Sequence, residues 1–362
     1  MSQAGYVPLV EVTRGPIVES IHFGALAVVD AAGRLIASAG DPHMSSYLRS
    51  SAKPFQALPF VERGGVEHFG ITDRELALMC ASHSGTDEHL SVLTGLQKKI
   101  GINESDLLCG THPLSDHTMA DALHDRGEQP TPNRHNCSGK HTGMLAHARL
   151  RNYPLTNYID LGHPVQHTII ETFAPMCGLE VGDVIVGIDG CSVPTFAVPL
   201  YNAAFGMARL CDPDTLNAKR AAACRQITKA MMANPDMVAG PARFDTEFMT
   251  AAKGSMLSKA GAEGYQIIGL LPGAMGAGSP ALGIAVKISD GDLYSNIRPT
   301  FPPGMGNDSR ARALVVLAVL DQLGALSPEM RKTLSRFNER PIRNWRGLEV
   351  GELRAKVKLQ RG

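Results

Sequence analysis

The chain of 362 residues is 44% hydrophobic and 19% charged, proportions typical of a folded globular protein. Its 35 acidic residues balance its 35 lysines and arginines, which argues against a nucleic-acid surface or an anionic membrane as partner. Aromatic residues make up only 5%, so a platform for stacking nucleobases is disfavoured as well.

The sequence also carries expectations about the compartment. The first residues show no basic segment followed by an apolar run, so we expect no signal peptide. The most apolar stretch, Ala313 to Leu320, is far shorter than the ~20 residues of a membrane-spanning helix. The chain has 7 cysteines, an odd number, and they are widely spaced, which disfavours a disulfide framework. We therefore expect a cytoplasmic protein.

Taken in chain order, apolar residues with period 2 predict strands, and those with period 3.6 predict helices. The predicted strands are 7–12 (an edge strand), 22–30 and 34–39 (a hairpin), 184–188, 265–271, 282–288 and a closing strand within 342–358. The predicted helices are 50–64, 74–79, a helix from 87 or 88 to about 100, 140–150, 164–177, 199–210, 214–233, 308–323 and 328–337, with a loop and one short helix across 109–136.

Strands near both ends with helices between them predict an α+β (mixed α/β) fold, an antiparallel sheet with helices packed on it. The helical portion is expected at about residues 50–180. No Pro/Ser-rich linker divides the sequence, so we expect a single domain, residues 1–362.

The segment Leu48 to Leu58 holds a Ser-x-x-Lys motif, Ser50 to Lys53. At the start of a helix, residues three apart share a face, so the amine of Lys53 would lie beside the hydroxyl of Ser50. A serine needs a nearby base to act as a nucleophile, and a neutral lysine can be that base. So short a motif also arises by chance, and an ordinary helix start with a solvated lysine is the alternative interpretation.

Two later segments strengthen the catalytic interpretation. Ser82 to Ser84 follows a predicted helix, and Lys259 to Gly261 precedes a predicted strand. The order S-x-x-K, S-x-N and K-T-G before a strand is that of penicillin-binding proteins and serine β-lactamases. Ser84 and Ala260 depart from that pattern, so a turn serine and a surface lysine remain the simpler alternatives.

Six blocks carry a resemblance to a known family: RSSAKPFQAL, LALMCASHSGTDEH, NCSGKHTGMLA, DGCSVPT, MVAG and SKAGAEG. With these blocks in the same order over nearly the whole chain, the sequence resembles the rhizobial inducible-type L-asparaginases (asparaginase II). The resemblance implies a fold similar to serine β-lactamases and glutaminases, hydrolysis of L-asparagine to aspartate and ammonia, and a homodimer.

The same resemblance implies site residues. For the catalytic centre it implies two Ser–Lys pairs, Ser50 with Lys53 and Ser82 with Lys259. It further implies a zinc site built from Cys137, Lys140 and Cys191.

On their own residues, Cys137, Lys140 and Cys191 do not show a recognised zinc spacing, and buried cysteines with a lysine at a helix start are the simpler interpretation. His135 and His141 are candidate additional ligands. Two thiolates suit a borderline-soft ion. A lysine ligand must be neutral, so the affinity for the ion would rise with pH. We expect zinc in a supporting role, because the Ser–Lys pairs already supply nucleophile and base.

Three further side chains are candidate substrate ligands. Asp189, at the end of a predicted strand, could hold the substrate α-ammonium or support the metal. Arg49 could bind the α-carboxylate through two hydrogen bonds, and His83 could donate a hydrogen bond. The simpler alternatives are a turn aspartate, a surface arginine and a satisfied turn histidine.

We expect an L-asparagine amidohydrolase in which Ser50 attacks the side-chain amide and Lys53 is the base. Lys259 would keep Ser82 polarised, and Ser82 would relay a proton to the leaving ammonia. A glutaminase is a close rival, and a β-lactamase-like hydrolase or a zinc-binding structural protein without activity are further alternatives. The sequence leaves open which serine is acylated, how far glutamine is excluded and whether the metal is catalytic.

Overall fold

The protein forms two compact units. The computed structural model describes residues 5–114, 116–292 and 310–362. One unit, here called the sheet unit, comprises Met1–Leu48, Val198–Asp212 and Glu247–Gly362 as far as they are described. The other, here called the helical unit, comprises Arg49–Ala197 and Pro213–Thr246. Strands and helices are both present in long runs, so the α+β prediction is confirmed.

The strands in chain order are β1 (Val7–Arg14), β2 (Ile17–Asp30), β3 (Leu35–Ala39), β4 (Ser45–Tyr47), β5 (Ile185–Ile188), β6 (Pro194–Pro199), β7 (Met256–Ala260), β8 (Tyr265–Leu270), β9 (Leu282–Ile288), β10 (Arg340–Arg343), β11 (Glu349–Ala355) and β12 (Gln360–Arg361).

The α-helices in chain order are α1 (Lys53–Glu62), α2 (Gly65–Phe69), α3 (Asp73–Met79), α4 (Asp87–Ile100), α5 (His117–Asp125), α6 (Ser138–Leu150), α7 (Pro164–Met176), α8 (Leu200–Cys211), α9 (Ala218–Ala233), α10 (Pro235–Val238), α11 (Phe244–Ala252), α12 (Arg312–Gln322) and α13 (Pro328–Thr333).

The sheet unit is built on an antiparallel sheet with the strand order β10-β11-β1-β2-β9-β8-β7, and β3 pairs with both β2 and β12. β1 therefore lies between β11 and β2, and the prediction of an edge strand was wrong. The closing segment covers that edge, because Val10 pairs with Ala355. The segment is a hairpin rather than one strand, since the side chain of Asn344 accepts the backbone N–H groups of Arg346 and Leu348 in a turn.

Helix α8 packs on the face of this sheet, against β9, β2 and β8. The approach is close at Gly283 of β9, where an added Cβ would lie 1.8 Å from the carbonyl oxygen of Ala204. Only glycine leaves room for the helix backbone there. The seam is apolar, because β9 is buried along almost its whole length.

The helical unit contains the Ser-x-x-Lys segment. Residues Arg49–Ala52 form a 3₁₀ turn, and α1 begins only at Lys53, with Pro54 in its first turn. The prediction that Ser50 itself opens the α-helix was wrong by these few residues. α1 packs against α7, where the rings of Phe55 and Phe173 meet edge to face at 5.7 Å.

Seven of the described strands and α-helices were not predicted from the pattern: β4, β6, β7, β12, α2, α10 and α11. Lys259 lies within β7, so it does not merely precede a strand, and β8 follows. Residues 308 and 309 of a predicted helix lie outside the described residues, and the described part is α12. Across 5–114, 116–292 and 310–362, no helix is both long and apolar enough to cross a membrane.

Candidate active site

The turn that carries Ser82 joins two helices of the helical unit. Here called the Ser82 turn, it comprises residues 80–86, between the end of α3 and the start of α4. Thr86 caps α4 by accepting the backbone N–H of His89, and this hydrogen bond fixes the backbone where the turn joins α4. The prediction that Ser82 lies on a turn after a helix is confirmed.

Segment 237–240, the MVAG block, holds the Ser82 turn in place. The backbone N–H of Ser82 donates to the carbonyl of Val238 at 2.9 Å, and the Ser84 hydroxyl donates to Ala239 at 2.9 Å. Gly240 has φ +116°, and an added Cβ would lie 2.5 Å from the Ser84 Oγ atom. The block therefore needs glycine at its end, both for its backbone angle and for the close approach of the turn.

Lys53 lies under the Ser82 turn and is only 1% exposed. Its Nζ atom lies 3.0 Å from the Oγ atom of Ser82 and 3.2 Å from the carbonyl oxygen of Asn136. Nζ also donates to the carbonyl of Ala81. In the described part of the chain, the structure records no hydrogen bond between Lys53 and Ser50.

Arg49 and Asp189 form an ion pair beside the 3₁₀ turn. The Nε atom of Arg49 donates to the Asp189 Oδ1 atom at 2.6 Å, and the backbone N–H of Gly190 donates to the same oxygen at 2.9 Å. Arg49 has φ +51°, an uncommon backbone conformation for a residue with a side chain. Burial disfavours the charged form of Asp189 and raises its pKa. The positive charges of Lys140 and Arg49 have the larger effect, so the pKa of Asp189 lies below its usual value.

Cys137, Lys140 and Cys191 come together in the helical unit. Cys137 and Lys140 lie at the start of α6, and the Lys140 Nζ atom donates to the Cys191 Sγ atom at 2.8 Å. Burial disfavours the Lys140 ammonium, but the two cysteines and Asp189 outweigh it and raise its pKa above the usual value. A hydrogen bond from Cys191 stabilises the Cys137 thiolate and lowers the pKa of Cys137, while that of Cys191 rises. These directions favour positive charge on Lys140 and place negative charge on Cys137 rather than on Cys191.

The donor atoms of this cluster bear on whether it can bind zinc. Two sulfur atoms and one amine nitrogen are donors that suit this ion. Lys140 and the thiol pair would have to lose protons to bind it. Within the described ranges, no group of three or more His, Cys, Asp or Glu side chains could hold a metal, so a zinc site here depends on Lys140 as its third donor.

His83 uses both of its ring nitrogens within the protein. Its Nδ1 atom accepts the backbone N–H of Gly85 at 3.1 Å, so the proton is on Nε2, which lies 2.8 Å from the Ser138 Oγ atom. The Ser138 hydroxyl in turn donates to the carbonyl of Asn133 at 2.9 Å. Burial, then His89 and Lys53, lowers the pKa of His83 well below the usual value, so the ring is neutral. The contacts are those of a ring that shapes the Ser82 turn.

His135 and His141, the candidate additional metal ligands, have other contacts. The Nδ1 atom of His135 accepts the backbone N–H of Cys137 at 2.9 Å. The Nδ1 atom of His141 lies 2.6 Å from the hydroxyl of Tyr158. These rings therefore support the start of α6 and its packing.

Lys259 belongs to the sheet unit, on β7, where it pairs with Ile267 across to β8. Its side chain is fully buried, and its Nζ atom donates to the carbonyl of Ala260 at 2.8 Å. The alternative of a solvated surface lysine is thereby excluded.

Sequence reasoning missed the backbone groups at this site. The carbonyls of Ala81 and Asn136 bind the Lys53 amine, and that of Val238 binds the Ser82 turn. Every residue carries a carbonyl, so side-chain identity gives no signal for them. The sequence points to the MVAG block, which contains Val238, only through the family resemblance.

Comparison with known proteins decides the family. The L-asparaginase II family matches residues 10–355, nearly the whole chain. The chain belongs to the L-asparaginase II family. The predicted resemblance is confirmed, and this member of the family is an amidohydrolase that acts on a carboxamide. No curated protein sequence matches the chain significantly.

The solved structures that are similar to the chain are similar only at low identity. A probable glutaminase from Bacillus subtilis, in complex with 6-diazo-5-oxo-L-norleucine, is 13% identical with a TM-score of 0.35, over 83% of each chain. Mglu, in its tris and glutamate form, is 14% identical with a TM-score of 0.41, over 92% of this chain and 64% of that one. Simvastatin synthase from Aspergillus terreus is 14% identical with a TM-score of 0.36, over 73% and 86%.

Proposed function

We propose that the protein hydrolyses L-asparagine to L-aspartate and ammonia through a serine acyl-enzyme with lysine as the base. The observation that carries the proposal is the buried Lys53 amine, 3.0 Å from the hydroxyl of Ser82, in a member of the L-asparaginase II family. A serine–lysine contact of this kind supplies both nucleophile and base without histidine.

The Arg49–Asp189 pair suits the α-amino-acid end of such a substrate. Asp189 engages the Nε atom of Arg49, which leaves the two terminal nitrogens to bind an α-carboxylate in parallel. The Oδ2 atom of Asp189 carries negative charge that suits an α-ammonium. Because the Arg49–Asp189 ion pair fixes the orientation of both side chains, the α-carboxylate and the α-ammonium of the substrate would each meet an oriented partner.

The proposed catalytic groups are Ser50, Lys53, Ser82 and Lys259. One serine attacks the carboxamide carbon, a lysine takes its proton, and the leaving nitrogen departs as ammonia. Water then attacks the ester and releases aspartate. Lys259, in the other unit, keeps its place as a sequence-based prediction.

We further propose zinc at Cys137, Lys140 and Cys191, a homodimer and a cytoplasmic location. When bound, zinc would supply positive charge that can orient a polar substrate group. Asp189 lies within 3.7 Å of the Cys191 Sγ atom, so the protein residue that links the metal cluster to substrate recognition is Asp189.

The test measures ammonia release from L-asparagine and L-glutamine side by side, with and without a chelator. We expect asparagine to be preferred at least tenfold in kcat/KM, and Lys53→Met to abolish turnover. The matched control is Lys98→Met, since Lys98 is an exposed lysine on α4. A folded protein that releases no ammonia from asparagine would refute the proposal, and a preference for glutamine would make it a glutaminase.

A further inference from the structure

The side chain of Arg134 is buried where the Ser82 turn meets α4. Its Nη1 atom donates to the carbonyl of Gly85, in the turn, at 2.7 Å. Its Nη2 atom donates to the Oδ1 atom of Asp87, at the start of α4, at 2.5 Å. The planar guanidinium holds its donors in a fixed fork, so it can bind two acceptors at once. One side chain therefore fixes both the turn and the helix that follows it.

The pairing with Asp87 does not by itself require a buried arginine. Arg126 binds the same carboxylate from the surface, with its Nη1 atom 3.3 Å from the Oδ2 atom and its side chain 39% exposed. The side chain of Arg134, in contrast, is only 6% exposed. An ion pair at the surface contributes little to stability. The contact that needs the buried position is the one with the carbonyl of Gly85.

Gly85 is held through both of its backbone polar groups. Its N–H donates to the Nδ1 atom of His83 at 3.1 Å, and its carbonyl accepts the hydrogen bond from Arg134. The residue has φ +70°, and an added Cβ would lie 2.7 Å from the backbone oxygen of Arg134. This conformation favours glycine. The backbone is therefore fixed closely after Ser82, on the same turn.

The backbone of Arg134 belongs to the segment that binds the Lys53 amine. Arg134 ends the 3₁₀ turn Pro132–Arg134, and the carbonyl of Asn136, shortly after it, lies 3.2 Å from the Lys53 Nζ atom. The same Nζ atom lies 3.0 Å from the Oγ atom of Ser82. The backbone of Arg134 thus leads to the lysine, and its side chain binds the turn that carries the serine.

We propose that Arg134 is a positioning residue of the amidohydrolase reaction, which holds the Ser82 hydroxyl against the Lys53 amine. The inference rests on the proposed function, and it applies whichever serine is acylated, because Ser82 and Lys53 belong to the proposed centre in either case. Displacement of a reacting group by ~1 Å can cost about 100-fold in rate. The proposed substrate ligands Arg49 and Asp189 form an ion pair of their own. Loss of Arg134 should therefore lower kcat and leave KM unchanged.

The test replaces Arg134 by lysine, which keeps the positive charge but has a single nitrogen and cannot bind both acceptors in the same fork. Ammonia release from L-asparagine is measured for wild type and Arg134→Lys over a range of substrate concentrations. We expect kcat to fall by between about 10-fold and about 100-fold, with KM within about threefold of the wild type. The hydrogen bond between His83 and Ser138 links the same two segments, so we expect the variant to fold, which circular dichroism checks.

Arg126→Lys is the matched control, since it makes the same substitution at the other arginine that binds Asp87. We expect its kcat to stay within about twofold of the wild type. A folded Arg134→Lys variant that loses less than about tenfold in kcat, or whose KM rises more than its kcat falls, would overturn the inference. Equal losses in the two variants would also overturn it, because the effect would then come from the charge of Asp87. A wild-type protein that releases no ammonia would instead refute the proposed function.

Asp87→Ala answers the same question if Arg134→Lys does not fold. It removes one of the two acceptors that orient the guanidinium, and it changes an exposed side chain, so we expect it to fold. We expect kcat to fall about threefold or more at constant KM, because the guanidinium then keeps only the carbonyl of Gly85. Wild-type kcat in a folded Asp87→Ala variant would overturn the inference. Failure of both variants to fold would overturn it too, since these contacts would then serve stability alone.

Discussion

The buried ring of His147 makes the acid stability of the helical unit predictable. His147 lies on α6 and is 2% exposed. In the described part of the chain, its Nε2 atom has no hydrogen-bond partner. Burial, assisted by Arg63 and Arg151, lowers its pKa to about 3. The neutral ring is therefore strongly preferred in the folded protein.

The sign and size of the effect follow from linkage. In the unfolded chain a histidine has a pKa of ~6.5, so below that pH the unfolded state binds a proton that the folded state refuses until about pH 3. The contribution of the neutral His147 ring to stability is thus fully present above about pH 6.5 and is lost as the pH falls towards 3. At pH 5, which lies below the pKa of ~6.5 in the unfolded chain, this effect lowers the free energy of unfolding by about 2 kcal/mol.

The assay compares wild type and His147→Leu by urea unfolding at pH 7.5 and pH 5.0, followed by circular dichroism. We expect wild type to lose about 2 kcal/mol more than the variant between the two pH values, because leucine does not titrate. His124→Leu is the control, since the His124 side chain is 90% exposed, and it should keep the wild-type dependence. Equal losses in wild type and His147→Leu would refute the reasoning.

Three further predictions concern other parts of the molecule. Gly240→Ala should lower stability by about 1–3 kcal/mol and reduce kcat, because φ is +116° and the new Cβ would meet Ser84; wild-type unfolding curves and rates would contradict this. Cys191→Ser should weaken zinc binding at least tenfold, measured by competition with a chromogenic chelator, whereas Cys224→Ser, which alters a buried cysteine on α9, should not. Trp345 is the only tryptophan and is 80% exposed, so its emission should move to shorter wavelength with concentration if the proposed dimer covers it; constant emission in a sedimenting dimer would place the interface elsewhere.

Local signals in the sequence were sufficient for many elements of the fold. Helix α3 begins at a capping box formed by Thr72 and Glu75, and Pro54 lies in the first turn of α1, where its missing N–H would have no helical partner. Such features depend on residues within one turn of each other, so the sequence states them directly. Strand β1 shows the limit, since its neighbour β11 comes from the opposite end of the chain.

At the candidate site, too, the sequence indicated the residues, whereas their contacts depended on the tertiary structure. Motif order and resemblance identified Ser50, Lys53 and Ser82 as candidates and supplied the family, which comparison confirmed. The pairing within the set needed the structure, because the recorded side-chain contact of Lys53 is with Ser82, whereas the i, i+3 spacing points only to Ser50.

The sequence by itself determined which chemical groups this amidohydrolase has at its disposal and where many of its helices and strands lie. Only the tertiary structure decided that Lys53 meets Ser82, 29 positions away, and that Lys140 meets Cys191, 51 positions away. The physical reason is that these contacts form when separate helices and turns pack, and at Lys53 the backbone carbonyls of Ala81 and Asn136 also bind the amine. No local pattern of side chains encodes that packing.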